Sequence, residues 1–559
     1  MQTGRLGRGT AAQGGGVKKR KGERGEDPPP TFTSCKLPTQ QKDPGFSRTM
    51  QLLWQRRSTD MDSLWDTDGC ESGTEIFSRL SSAPLSSSGV IHVFHFNRHF
   101  RFHQLISGSS PSHDFVIRFL SACRADSEPN SLLGQSSEAE RWIHLHSSAE
   151  RRNMPSNKSV SDAPITQFVN CRILKDHKLQ REDLWVREGR ILNPEKLFFD
   201  EQGYADKRVD CEGSIIAPGF IDVQINGGYG IDFSQASDDV TSGFSFVAKK
   251  ILEDGVTSFC PTLVTSPPAV YHKVLPQVKV HNGGPHGAGV LGFHLEGPFI
   301  SVEKKGAHPE QYLRTFRSGR IEDLIEAYGN LDNVAMVTLA PELASSQSVV
   351  KELSQRGITV SLGHSVANLS QAEEAVKNGA SFITHLFNAM LPFHHRDPGI
   401  VGLLTSDQIP AGRTVYYGMI ADGIHTNPAA LRIAHRAHPS GLVLVTDAIT
   451  AMGLPPGRHT LGQQVIEIQG LHAYVAGTKT LSGSIATMDM CVRHFKQASG
   501  CSVEQALEAA SLHPAQLLGI SHKKGKLDYG SDADLVLLDD ALNVTATYIS
   551  GEEVWRKGP

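Results

Sequence analysis

The stretch Ile358–Met390 reads ITVSLGHSVANLSQAEEAVKNGASFITHLFNAM. Ile358–Leu362 is an apolar run of strand type that ends at Gly363-His364-Ser365. Leu369–Asn378 has helical spacing, with Ala372, Ala375 and Val376 on one side and Glu373, Glu374 and Lys377 on the other. Ala380–Thr384 is strand-like again and ends at His385. A strand–helix–strand unit makes its two strands parallel, so both histidines stand at C-terminal strand ends on one edge of a sheet. That edge is where α/β barrels and open α/β sheets place their chemistry.

Working outward, the chain has 559 residues, room for more than one domain, and a formal net charge of −4. This balance points neither to nucleic acid nor to a membrane surface, and no apolar run is long enough to span a bilayer. The eight cysteines, from Cys35 to Cys501, form no CxxC pair, so a reducing compartment is expected and the cytoplasm is the assigned location. Met1 to about Arg24 is basic but lacks the apolar centre of a secretory signal. Glu23, Glu26 and Asp27 also argue against a mitochondrial presequence. Residues 1–158 are expected to be disordered or poorly ordered and without catalytic role. Within them Val90–Leu105, VIHVFHFNRHFRFHQL, alternates His with Phe. An exposed periodic element explains this better than a metal site, because no acidic or cysteine ligand sits nearby.

From about Ala217 to His522 the chain counts as eight βα units. The expected strands are Phe220–Ile225, Val256–Pro261, Gly289–Leu295, Val334–Leu339, Ile358–Leu362, Ser381–Thr384, Val415–Ile420 and Leu442–Val445. Helical segments separate most of them, and the last strand is followed by helical patterns at Ile485–Gln497 and Val503–Leu518. The expected fold is therefore α/β, a (β/α)8 barrel over 217–522. Short strand-like runs before and after it, such as Ile165–Leu174 and Ala533–Leu538, predict a small discontinuous β-sandwich from 159–216 and 523–559.

Polar groups at the ends of apolar strands are costly unless paired, liganded or wet. The first strand delivers Asp222, Gln224 and Asn226; the third His294 and Glu296; the fifth His364; the sixth His385 with Asn388; the seventh Asp422 and His425; the eighth Asp447. Glu296, His364 and His385 form a carboxylate-plus-two-imidazole set that suits Zn²⁺ with a position left for water. Mn²⁺, Co²⁺ and Fe²⁺ suit the same donors. Asp447 is then the candidate acid/base group. His294 either ligates or braces the site, being on the same side of its strand as Glu296. Arg396, with His394 and His395, lies in a Pro- and Gly-rich loop that is either a solvated cluster or a binding loop for an anionic substrate.

These motifs together resemble the N-acetylglucosamine-6-phosphate deacetylases of the amidohydrolase superfamily, and in places their vertebrate form. The resemblance is carried by PGFIDVQINGG from Pro218, HLEGPF from His294, KKGAH from Lys304, LGHS from Leu362, THLFNAM from Thr384, ADGIH from Ala421, VTDA from Val445 and ADLVLLD from Ala533. It covers about Ile165 to Trp555 and implies release of acetate and glucosamine 6-phosphate. It places Glu296, His364 and His385 on one divalent metal ion per subunit, Asp447 as base and then acid, and His294 or the metal at the developing oxyanion. Asp222-Val223-Gln224 and Asn226 stand where many superfamily members have HxH, which favours a single ion. The resemblance also puts His425 and Arg396 on the sugar phosphate, Asn388 and the backbone of Ala389 beside it, and Gln224 and His308 among the substrate-seating residues. Arg396 and His425 are expected to reach the neighbouring subunit's site, which implies a homodimer.

The rivals are another amidohydrolase acting on an amide or cyclic amide, and an inactive barrel kept as a scaffold. The missing HxH and the anion-binding Arg396 weigh against the first. The complete set Glu296, His364, His385 and Asp447 weighs against the second.

Overall fold

The computed structural model describes residues 161–235, 239–461 and 464–558. The His/Phe stretch at Val90–Leu105 and the expected disorder of the first part of the chain lie outside the described residues.

The barrel strands are β1 (Phe220–Ile225), β2 (Val256–Val264), β3 (Phe293–Glu296), β4 (Val334–Leu339), β5 (Thr359–Leu362), β6 (Phe382–Ile383), β7 (Tyr416–Ile420) and β8 (Leu442–Val445). They pair in sequence order and all in parallel. At the top, the Asp447 N–H donates to the Gln224 carbonyl at 2.8 Å and joins β8 back to β1. Lower down, the seam is filled by Ala509 and Ala510, whose carbonyls accept from Leu444 N–H and Ile221 N–H. The barrel is thus nearly closed.

The opening stretch folds as its pattern demands. Asn368 and Gln371 make a reciprocal capping box at the start of helix Leu369–Asn378. Ala372, Ala375 and Val376 are buried, and Gly379 ends the helix at φ 125°. Strand β5 then pairs with β6 through Leu362 and Ile383.

Three elements differ from the sequence expectation. The third strand is split: Gly289–Val290 pairs with β2, and only Phe293–Glu296 enters the barrel, because Gly292 turns the chain at φ 126°. The expected helix Val503–Leu518 is two helices, Val503–Glu508 and Leu512–Leu517, broken at Ser511. Residues 457–483 form an antiparallel four-stranded sheet that was not anticipated. Its signal was present in the alternating Val465, Ile466 and Ile468 and in the turn glycines Gly470 and Gly477.

The segments that flank the barrel on either side share a sheet. Strand Ile215–Pro218 pairs antiparallel with Leu535–Leu538, which continues to Val544–Ile549 and Glu552–Arg556. A second sheet contains Thr166–Val169, Leu184–Arg187 and Lys207–Asp210. Between them lies a separate apolar cluster that includes Phe168, Val186, Ile216, Leu537 and Tyr548. Lys524 is buried between Asp534 and Asp532, at 2.5 and 3.0 Å, so its charge is paired on two sides.

Candidate active site

Register decides the site. Leu339 pairs with Leu362, Leu362 with Ile383, and Ile420 with Val445. His364, His385, Asp422 and Asp447 each fall two residues beyond the last strand residue of β5, β6, β7 and β8. Three of them take left-handed backbone: φ is 50° at His364, 29° at His385 and 46° at Asp447. Non-glycine residues rarely do so, and such strain concentrates at functional sites. Gly363 permits the turn after β5, because a Cβ there would meet Thr384 Cβ at 2.6 Å.

Glu296, His364 and His385 are buried together and form a cluster able to hold a metal ion. Glu296 Oε1 lies 3.0 Å from His364 Nε2 and 3.1 Å from His385 Nε2, and the two imidazole nitrogens are 3.0 Å apart. Burial pushes the Glu296 carboxyl up, but hydrogen bonds from both histidines override this and hold it well below its ordinary value. Burial lowers His385, yet Glu296 outweighs it and raises the ring to about 9. His364 Nδ1 lies 2.8 Å from the Lys304 carbonyl, which can only accept, so an ion bound at Nε2 would leave Nδ1 as the donor to that carbonyl. One carboxylate and two imidazoles at this spacing fit a divalent ion.

Asp447 stands beside this cluster. Asn226 Nδ2 donates to its Oδ1 at 2.8 Å, and Gln224 Nε2 donates both to Asp447 Oδ1 and to Glu296 Oε1, at 3.2 Å each. Gln224 of β1 thus bridges the acid and the carboxylate of the cluster, and Asn226 just past the strand holds the acid alone. Desolvation and then the Glu296 charge raise Asp447 to about 6, still ionised at neutral pH. Asp222 lies deeper and clamps Thr446 through a 2.6 Å hydrogen bond from its hydroxyl.

A cavity of about 510 Å³ joins Glu296, His364, His385 and Asp447 to Asn226, His308, Asn388, Ala389 and His425. Leu461, Ile466 and Leu481 of the antiparallel sheet form its apolar wall. His308 Nδ1 receives the Thr265 N–H at 3.3 Å and lies 2.7 Å from the Thr265 hydroxyl. The proton is therefore on Nε2. Burial, then the neighbouring His364, lower His308 to about 3 and keep it neutral. His425 donates from Nδ1 to Asp422 at 2.6 Å; burial lowers the ring, but Asp422 outweighs it and raises it.

Two placements bear on the sequence expectation. His425 lines this chain's own cavity, because Asp422 just past the end of β7 ties it there. His294 is fully buried with both ring nitrogens engaged, Nδ1 with the Val223 carbonyl at 3.1 Å and Nε2 with Thr338 Oγ1 at 2.7 Å. It has no nitrogen left to offer an oxyanion or an ion. Arg396 is exposed on the segment Leu391–Asp397, outside the cavity. Thr265, which sets the tautomer of His308 from 43 positions away, had no signal in the sequence.

The amidohydrolase family signature matches residues 215–554. N-acetylglucosamine-6-phosphate deacetylase of Danio rerio is 80% identical over 404 residues, 72% of this chain and 100% of the relative. The Homo sapiens protein of the same name is 71% identical over 403 residues, 72% and 98% of the two chains. The crystal structure of N-acetylglucosamine-6-phosphate deacetylase from Pasteurella multocida superposes with a TM-score of 0.60 at 31% identity, covering 70% of this chain and 99% of that one. With a nearly closed parallel barrel and its polar rim in place, this chain belongs to the amidohydrolase family and, within it, to the N-acetylglucosamine-6-phosphate deacetylases.

Proposed function

We propose that the cavity hydrolyses N-acetylglucosamine 6-phosphate to glucosamine 6-phosphate and acetate, in the breakdown of amino sugars. The observation that carries this is Asp447, ionised and held by Asn226 and Gln224 beside the Glu296/His364/His385 cluster on one cavity floor. A divalent ion held by that cluster, Zn²⁺ by the chemistry of its donors, supplies Lewis-acid polarisation of the acetamide carbonyl and lowers the pKa of water. Asp447 takes the proton of the attacking water and returns it to the departing amine, a task suited to a carboxyl raised toward neutrality. His308, neutral with its proton on Nε2 and lining the cavity, donates to the acetamide oxygen as charge develops there. It takes the part first considered for His294, which instead braces β3 against β1 and β4.

His425, tied through Nδ1 to Asp422, borders the phosphate with its free ring edge, and Asn388 and Ala389 border the sugar. Because Arg396 lies outside the cavity of its own chain, its phosphate contact is made in the cavity of a second copy, in a homodimer. Phe393 beside it is 63% exposed, as an interface residue would be in a single chain. Among the described residues no helix is long and apolar enough to cross a membrane, and the cysteine usage supports a cytoplasmic location.

The test is acetate release from N-acetylglucosamine 6-phosphate by the metal-loaded full chain, alongside Asp447→Asn. A wild-type protein that holds metal but releases no acetate overturns the activity. An active Asp447→Asn variant overturns the mechanism.

A further inference from the structure

We infer that the loop Ser301–His308 is a clasp seated on the metal ligand His364, so that ion occupancy fixes His308 in its substrate-facing position and substrate binding in turn tightens the ion. The loop is wrapped around this one residue. Ser301 N–H donates to the His364 carbonyl at 2.9 Å, and the Lys304 carbonyl faces His364 Nδ1 at 2.8 Å. Gly306 runs alongside the ring, where a Cβ would sit in ordinary contact with His364 Cε1 at 3.7 Å. The His308 ring stands 4.5 Å from the His364 ring, centre to centre. Between its buried ends, Ser301 and His308, the loop is lightly held: the turn Val302–Lys304 contains no buried residue, and Val302 is 54% exposed. A segment with few buried apolar contacts takes its stability from the hydrogen bonds that anchor it.

The two ring nitrogens of His364 face different partners, Nε2 towards Glu296 and Nδ1 towards the Lys304 carbonyl. An ion bound through the Nε2 lone pair requires the ring N–H at Nδ1, where it donates to Lys304 and holds the loop. The far end of the loop is pinned by His308 to Thr265, so the same hold reaches the substrate side. Coupling between two sites is reciprocal.

The loop claim stands on geometry alone, whereas its effect on substrate rests on the deacetylase function proposed above, and the two are tested separately. Hydrogen exchange read by mass spectrometry on the full chain compares protein stripped by chelator with protein reloaded with Zn²⁺. Amides of residues 301–308 should exchange about tenfold faster after stripping, with helix Leu369–Asn378 unchanged. Equal exchange in the two states overturns the clasp, as does equal acceleration of the helix. In the second arm a hydrolysis-resistant analogue with a methanesulfonamide in place of the acetamide is added, and Zn²⁺ affinity is measured by chelator competition. Wild type should gain about tenfold in affinity, Thr265→Ser should keep the gain, and Thr265→Val should lose it while its Zn²⁺ affinity without analogue stays wild type. A full gain in Thr265→Val overturns the link through His308. Loss of acetate release with normal exchange coupling overturns the activity and leaves the clasp standing.

Discussion

The two sides of the cavity are built differently. On the metal side Glu296, His364, His385 and Asp447 stand on or just past the ends of β3, β5, β6 and β8, and parallel register sets their mutual positions. On the opposite side His308, Asn388, Ala389 and His425 stand on loops, and the apolar wall comes from an antiparallel sheet between β8 and the last helices. Strand ends hold ligands to the tolerance that coordination needs, whereas loops on a rigid frame can vary without disturbing it. The two sides meet at His364, which faces Glu296 with one nitrogen and Lys304 of the His308 loop with the other.

If the sides are separable, mutations on each should fail differently. Asp447→Asn keeps shape and removes the base, so kcat should fall about 10²- to 10⁴-fold with metal content unchanged; metal loss in this variant would move Asp447 onto the ligand set. His308→Asn should lower kcat about 10²- to 10³-fold while the tight binding of Zn²⁺ persists. An equal loss in His294→Asn with the fold intact would reassign the oxyanion donor. Arg396→Ala should raise KM about 10- to 100-fold with kcat little changed. Mixing it with Asp447→Asn should restore part of the activity through hybrid dimers, which a monomer could not do.

The smallest effect is pH-linked. In metal-free protein His385 is raised from 6.5 to about 9, so its proton stabilises that state fully below pH 6.5, and the contribution is lost as pH rises through 9. An ion must displace this proton. Zn²⁺ affinity should therefore rise about tenfold per pH unit across that window and then flatten. Calorimetric titration at several pH values checks this, and a flat profile would show that His385 binds the ion without losing a proton.

Much of the metal side was legible. His364 and His385 share one βαβ unit, and the apolar runs that end at them fix their edge of the sheet before any long-range contact is known. Glu296 and Asp447 follow the same rule on their own strands. The substrate side was only partly legible, since a loop motif names a residue without saying which cavity it enters. ADGIH did not say that Asp422 would tie His425 to the cavity, nor did HHRDPG say that Arg396 would stand outside its own chain's cavity. His294 and Glu296 alternate onto one side of β3, yet Thr338 and Val223, distant in sequence, take both nitrogens of His294.

By itself, then, the sequence determined the βα repeat, the ligand types and the strand ends that carry them, because side-chain periodicity and apolar runs are local properties. Tertiary structure alone decided that Asp447 and Gln224 close the barrel, that Thr265 sets the proton of His308, and that residues 457–483 wall the cavity. Each of these is a hydrogen bond or a packing contact between segments whose separation only folding removes.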